Sequence, residues 1–290
     1  MAPAHPMATP THWDAQALWQ SLLPVLPGIS VEVLPEVDST NTRLLQRSGD
    51  SAPCLLVAEH QTQGRGRMGR HWLSAAGASL TFSLGLPLAP LRWEGLSLAV
   101  GLALAQALEP LLTGQAPRLM LKWPNDLWLV SGNDGNSGRK VGGVLVETVL
   151  RGGQRYCVVG VGLNVLPPGT WATADAALIH GYACLQELSP GLQAPQALAR
   201  VALPLALALQ RFASNGFAPL LPDYAARDLL RGQAVTTSAM PPLQGQALGV
   251  DDDGALRVRA ADGVLHRVHS GEVSVRLQGY LQAPEAVGSK

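Results

Sequence analysis

The chain predicts an α+β fold: a larger unit built on a mixed or antiparallel sheet, followed by a small β-barrel. Two observations carry this reading. Up to residue 164, short apolar runs are joined by hairpin-like turns instead of alternating singly with helices, which argues against a Rossmann arrangement. Composition then shifts at Gly232, and five short strands with turns at roughly even spacing follow, the pattern of a small barrel.

The elements follow in order. Residues 1–10 hold Pro, Ala, Met and Thr without periodicity and read as a disordered tail. Thr11-His12-Trp13-Asp14 caps a short helix through Leu23, with Leu18, Trp19, Leu22 and Leu23 on one face and Pro24 and Pro27 ending it. Residues 29–34 alternate as a strand, and Asp38-Ser39-Thr40-Asn41 reads as the N-cap region of a helix over 42–47. Strands are expected over 54–59 and 79–86, and the longest helix candidate over 91–112. Residues 119–123 and 126–130 form a strand pair around the Pro124 corner. Two more strands cover 140–150 and 155–164, preceded by a polar hairpin loop over 131–138. An irregular loop spans 167–177. Helices are expected over 194–212, weakened by Pro204, and over 218–230. The barrel strands are 235–237, 247–250, 256–259, 264–268 and 273–277.

Bulk properties exclude several classes. Lys plus Arg and Asp plus Glu each number 21, so nothing in the net charge favours a basic nucleic-acid binder. The three cysteines form no CxxC pair and no His/Cys ligand cluster, which suggests reduced, buried thiols and a cytoplasmic setting. No basic segment precedes an apolar run at the N-terminus, and Gln106 and Glu109 interrupt the most apolar stretch, so a buried helix is expected there rather than a membrane span. HExxH and Gly-x-Ser-x-Gly are missing, and the Gly160-Val161-Gly162-Leu163-Asn164 run does not continue as GxGxxG and has no clear helix after it, so it is no dinucleotide fingerprint.

Two segments carry chemistry. Gly64-Arg65-Gly66-Arg67-Met68-Gly69-Arg70 is a single glycine–arginine loop between two core strands. Glycines let backbone N–H groups approach a ligand, and the guanidinium forks match carboxylate and phosphate oxygens, so an anion site is expected. Lys122-Trp123-Pro124-Asn125-Asp126 places a cation and an acid at either end of a turn, where they pair with each other or with a ligand and metal. Lys140-Val141-Gly142-Gly143 and Gly160-Val161-Gly162-Leu163-Asn164 put small residues where something approaches the backbone closely. Ser39-Thr40-Asn41 alone reads as ordinary N-capping.

Taken together, these segments resemble the biotin protein ligases, the biotin–[acetyl-CoA-carboxylase] ligases. The resemblance rests on Ser39 to Asn41, Glu59 to Arg70, Lys122 to Asp126, Lys140 to Glu147, Gly160 to Asn164 and Gly271 to Arg276, in family order across roughly 35–280. It implies a class II synthetase-like catalytic domain over 31–231 and an SH3-like C-terminal barrel over 232–290, preceded by a tail and short helix over 1–30. It implies ATP and biotin as substrates with Mg²⁺, a biotinyl-5′-AMP intermediate, and transfer to a lysine of a biotin carboxyl carrier domain. By the same resemblance, Ser39, Thr40, Asn41, Gln61, Arg65, Gly66, Arg67, Lys140 and Gly143 match biotin-contacting positions. Arg67, Lys122, Asn125, Asn164, Tyr182 and Arg276 fall on the ATP side, with Tyr182 or Trp171 stacking on adenine. Arg65, Arg67, Lys122, Asp126 and Lys140 are the candidate catalytic groups, and Asp126 positions the metal or the incoming lysine.

Two departures and two alternatives accompany the resemblance. Met68 stands where a further Arg is common in the family. Only about 38 residues precede Ser39, with no basic recognition helix among them, so a ligase without DNA-binding repressor function is expected, as monomer or homodimer, with no membrane partner. A biotin- or nucleotide-binding regulator with little ligase activity, and a lipoate or octanoate ligase or transferase of the same superfold, are the alternatives.

Overall fold

The computed structural model describes residues 12–47, 51–131, 138–168, 181–271 and 273–277. The tail expected over 1–10, the body of the 131–138 loop, Trp171 and most of the 167–177 loop lie outside these residues.

Helix α1 (Ala15–Leu22) begins at Asp14, whose carboxylate accepts the Ala17 N–H. Leu18 and Leu22 are buried as expected, but Trp19 is exposed and donates its indole N–H to the Ile29 carbonyl. Strand β1 (Ser30–Val37), helix α2 (Thr40–Gln46) and strand β2 (Cys54–Gln61) form a crossover unit, with β1 and β2 parallel. Strands β3 (Ser79–Pro87), β4 (Leu119–Lys122), β5 (Asp126–Val130), β6 (Gly138–Arg151) and β7 (Gln154–Asn164) complete a seven-stranded mixed sheet, ordered β1-β2-β3-β7-β6-β5-β4. Every neighbouring pair except β1/β2 is antiparallel. The β6–β7 hairpin turns on Gly152 and Gly153, both at positive φ, as a two-residue connection demands.

Strand alternation separates the two faces of the sheet. Leu55 and Val57 of β2 and Leu80, Phe82 and Leu84 of β3 enter the large core, while Cys54 and Leu56 enter a smaller one with Leu44 of α2. Helices α3 (Leu96–Leu108) and α4 (Ala194–Asn215) pack together in the large core. The α2 side is left partly open, and the site forms there.

Three helix expectations need correction. The helix expected over 91–112 starts only after Gly95, which sits at φ 80°, and stops at Glu109 because Pro110 disfavours helical geometry in the residue before it. Helix α4 runs through Pro204; its inner face, including Leu198, Val201, Leu205, Leu209 and Phe212, is buried, and that packing outweighs one lost backbone hydrogen bond. By length and composition α4 is also long and apolar enough to cross a membrane, and this burial marks it as a core helix. The helix expected over 218–230 is a 3₁₀ turn (Ala218–Leu220) followed by short helix α5 (Leu221–Ala225).

The chain breaks out of helix after α5 because it is recruited to the sheet edge. Leu121 N donates to Arg227 O at 2.7 Å, and Leu229 N donates to Leu121 O at 3.0 Å. The fully buried Arg227 guanidinium donates to the Glu109 carboxylate and to Leu119 O, each at 2.8 Å. Glu109 also accepts the Arg118 and Leu119 backbone N–H groups. A buried ion pair is tolerable only when hydrogen bonds satisfy both ions in this way. Beyond it, β8 (Ala234–Thr237), β9 (Gln244–Val250), β10 (Leu256–Ala260), β11 (Leu265–Val268) and β12 (Val275–Leu277) form a five-stranded antiparallel sheet, ordered β11-β10-β9-β8-β12. Cys54, Cys157 and Cys184 are free and buried, and burial pushes the Cys54 thiol up to about 11.

Candidate active site

Sheet register lays a floor of small residues on the open face. Gly143 of β6 pairs with Gly162 of β7, and Gly160 pairs with Leu145 two residues along. A Cβ on Gly160 would lie 2.2 Å from Asn41 Oδ1, and one on Gly162 would lie 2.4 Å from the Trp72 ring. These glycines are therefore required by neighbours that line the cleft, not by backbone torsion.

The glycine–arginine loop folds back over this floor. Gly64 O accepts Trp72 N–H at 2.8 Å, and Gly66 N donates to Arg70 O at 2.7 Å, so the loop is a closed hairpin. Met68 turns its tip at φ 57°, a rare backbone state for a side-chain-bearing residue, and its side chain is exposed. Arg65 pairs with Glu147 at 3.0 Å. Arg67 donates to Asn125 Oδ1 at 3.4 Å, to Gly271 O at 2.7 Å and to Ser270 O, so it ties the loop both to the Pro124 corner and to the β11–β12 connection.

The Pro124 corner is fixed from three sides. Trp123 Nε1 donates to Gly254 O at 3.0 Å, Ser97 Oγ donates to Pro124 O at 2.9 Å, and Asn125 Nδ2 donates to Val144 O at 2.9 Å. Of the pairings open to Lys122 and Asp126, the structure gives Asp126 to Lys140, with Nζ 2.8 Å from Oδ1. Lys122 instead sits buried, its Nζ 4.8 Å from the centroid of the Trp128 ring. Burial pushes its ammonium down to about 8, against the opposing pull of Asp126.

One cleft of about 1070 Å³, its open mouth included, gathers most of the sequence-predicted positions. Ser39, Thr40, Asn41 and Gln61 line one end, and Arg65, Gly66 and Arg67 the loop side. Lys122, Asn125, Asp126, Lys140, Gly143 and Arg276 complete it. Asn164 and Tyr182 are not brought to this lining. Asn164 Nδ2 donates to Lys140 O and Ala183 O, and the buried Tyr182 hydroxyl donates to Leu166 O at 2.7 Å. Both act as braces beneath the Lys140 strand.

Sequence reasoning missed Trp72, which lines the cleft with its ring 5.8 Å from Lys140 Nζ. Its signal was the Gly160-Val161-Gly162 run, since Gly162 is the residue that makes room for the ring. Gly162→Ala is expected to displace Trp72 and weaken binding of an apolar ligand in the cleft by about tenfold, the scale of one core side chain forced out of place. Titration of biotin against the intrinsic tryptophan fluorescence of both proteins measures it.

This geometry sets the comparisons with known proteins. Residues 33–164, spanning most of the large sheet, match the biotin/lipoate A/B protein ligase family, and residues 232–276 match the biotin protein ligase C terminal domain. The bifunctional ligase/repressor BirA of Escherichia coli (strain K12) is 34% identical over 262 residues, covering 89% of this chain and 77% of that protein. The chain belongs to the biotin protein ligase family. A biotin–[acetyl-CoA-carboxylase] ligase of Mycobacterium tuberculosis, 34% identical, matches 78% of this chain and 82% of its own length. Among solved structures, the biotin protein ligase of Aquifex aeolicus in complex with biotin and ATP superposes with a TM-score of 0.69 at 29% identity, covering 85% of this chain and 98% of that one.

Proposed function

We propose that this protein joins biotin to ATP as biotinyl-5′-AMP and passes the biotinyl group to a lysine of a biotin carboxyl carrier domain of acetyl-CoA carboxylase. The observation that carries this reading is the convergence of Arg65, Arg67, Lys122 and Lys140 on one cleft whose other end is hydroxyl- and amide-lined. A biotin carboxylate and the ATP triphosphate repel one another, and these cations offset that repulsion and the charge that builds on the α-phosphate. The carboxylate oxygen attacks the α-phosphorus, and pyrophosphate leaves. A deprotonated lysine amine then attacks the carbonyl of the mixed anhydride, AMP leaves, and an amide remains.

The residues divide the work. Lys140 and Arg65 serve the carboxylate side, with Gln61 and Thr40 offering the polar contacts for a ureido edge and Trp72 the apolar wall. Arg67, Lys122 and Arg276 serve the phosphates. Asp126 is the single carboxylate among the described lining residues, and one carboxylate is sufficient for Mg²⁺ where substrate phosphates complete its shell. A Mg²⁺ held there would offset phosphate charge. Three buried free thiols are in keeping with a cytoplasmic enzyme.

Incubation of the full chain with ATP, carrier domain and either biotin, lipoate or octanoate tests the reading. Biotin alone is expected to drive pyrophosphate release and a mass increase of the carrier. Pyrophosphate release with lipoate or octanoate, and none with biotin, would overturn it in favour of the lipoate-type reading. Biotin binding without pyrophosphate release would favour the regulator.

A further inference from the structure

Behind the cleft runs a line of polar side chains, and two of them, Ser83 and Glu147, have no part in the ligase chemistry above. Ser83, at the centre of β3, is fully buried, and its Oγ lies 2.7 Å from Thr40 Oγ1 and 2.6 Å from Asn41 Oδ1. Asn41 Nδ2 donates to Leu145 O at 3.2 Å and to Glu147 Oε2 at 2.9 Å. Glu147 Oε1 in turn lies 3.0 Å from Arg65 Nη2. Thr40 N donates to Gln61 Oε1 at 2.8 Å, at the polar end of the cleft.

Counting protons gives this line a direction. The Asn41 orientation is fixed, because its NH₂ faces a carbonyl and a carboxylate, both acceptors. Its Oδ1 can only accept, so the single Ser83 hydroxyl proton goes to Asn41. The Thr40 hydroxyl has its own acceptor in Gln61 Oε1, 3.1 Å away. Donation therefore runs one way, from Ser83 through Asn41 to Glu147, and the carboxylate at its end also accepts from Arg65. The backbone makes room for it: Ser83 pairs with Gly160 across β3 and β7, Gly160 pairs with Leu145 across β7 and β6, and only a glycine fits under the Asn41 amide.

We propose that Ser83 and Glu147 are positioning residues for Arg65, linking the polar floor of the biotin cleft to the first arginine of the loop. Glu147 holds the guanidinium over the cleft before any ligand arrives, and Ser83 holds Asn41 in the rotamer that presents its amide to Glu147. The inference rests on the ligase reading and adds to it two residues that do not line the cleft. Its physical content is preorganisation: an arginine already in place loses less freedom on binding a carboxylate than one recruited from solvent.

The experiment is a mutant cycle on the full chain, read as biotin-dependent pyrophosphate release. Glu147→Gln keeps an acceptor for Asn41 and removes the charge that anchors Arg65. It is expected to raise the biotin KM about fivefold with kcat within about twofold, the scale of one half-exposed ion pair. Ser83→Ala, which removes one oxygen without adding bulk, is expected to shift KM in the same direction. In an Arg65→Ala background neither substitution should raise KM further, a non-additivity that a merely structural role would not produce. Thermal melting of each variant verifies folding, and Ser83→Ala carries the test should Glu147→Gln fail to fold. An unchanged KM in both variants, or an equal rise with and without Arg65, overturns the proposal while wild-type activity leaves the ligase reading standing. A wild type that releases no pyrophosphate with biotin overturns both.

Discussion

Arg67→Gly is expected to let biotinyl-AMP escape about a hundredfold faster than the wild type, because losing about 2.7 kcal/mol of loop anchoring shifts the closed population by two decades. Arg67 is the stitch between three parts of the chain: the loop itself, Asn125 at the Pro124 corner and the carbonyls of Ser270 and Gly271. Hydrogen bonds from a charged donor are worth about 1.5–3 kcal/mol each, so losing the set and gaining a glycine's freedom accounts for that figure even after water replaces part of it. With the loop open, the anhydride meets water and any lysine nearby. The measurement is retention of radiolabelled adenylate through gel filtration, together with labelling of a bystander protein. Faster loss and indiscriminate labelling are expected; retention equal to wild type would show that the loop closes without this residue.

The same arginine shows how much of the site the sequence exposed. The two motifs that carry charge were legible because each has a local reason to exist: glycines that free a loop, and a proline corner with a cation and an acid. Their convergence was not legible, because β2, which feeds the loop, and β5, which begins at Asp126, are separated by β3, β7 and β6, and the loop meets the Pro124 corner through the Arg67–Asn125 contact. The barrel strands were legible for a similar reason, because turns at even spacing are a local signal. What stayed hidden was set by tertiary partners. Trp72 reads as a strand aromatic until Gly162 makes room for it. Ser83 reads as one polar residue in a buried strand until Asn41 reaches it. The segment 218–230 reads as helix because nothing local reveals that Arg227 must reach Glu109 and that residues 227–229 must extend the sheet past β4. Asn164 and Tyr182 were named from their place in the chain, and their side chains bond to the carbonyls of Lys140 and Leu166 beside the cleft.

Lys122→Met is expected to slow adenylation by about 10²–10³-fold, the loss seen when one preorganised charge donor is removed from an active site. Unlike most active-site losses, this one should stabilise the fold. Lys122 is only 8% exposed, and burial holds its ammonium at about 8 against an ordinary 10.5. Its cation therefore costs stability at neutral pH, on the order of 3 kcal/mol with the pull of Asp126 already counted. The sign follows from proton counting. Below pH 8 the folded and unfolded chains both carry the proton, and the cost is constant. Between about 8 and 10.5 the unfolded chain binds more protons than the folded one, so wild-type stability gains with rising pH relative to Lys122→Met. Activity moves the other way: kcat/KM for ATP, which reports the free enzyme, should fall as pH rises through about 8 because the phosphate-facing cation is lost. Lys122→Arg, charged at every accessible pH, should carry that falling limb to higher pH if it folds at all in so tight a site. Denaturant melts of wild type and Lys122→Met at pH 7 and 9.5, beside a pH profile of biotin-dependent pyrophosphate release, test both halves. A melting difference that does not narrow between those pH values would show that Lys122 keeps its proton in the folded chain.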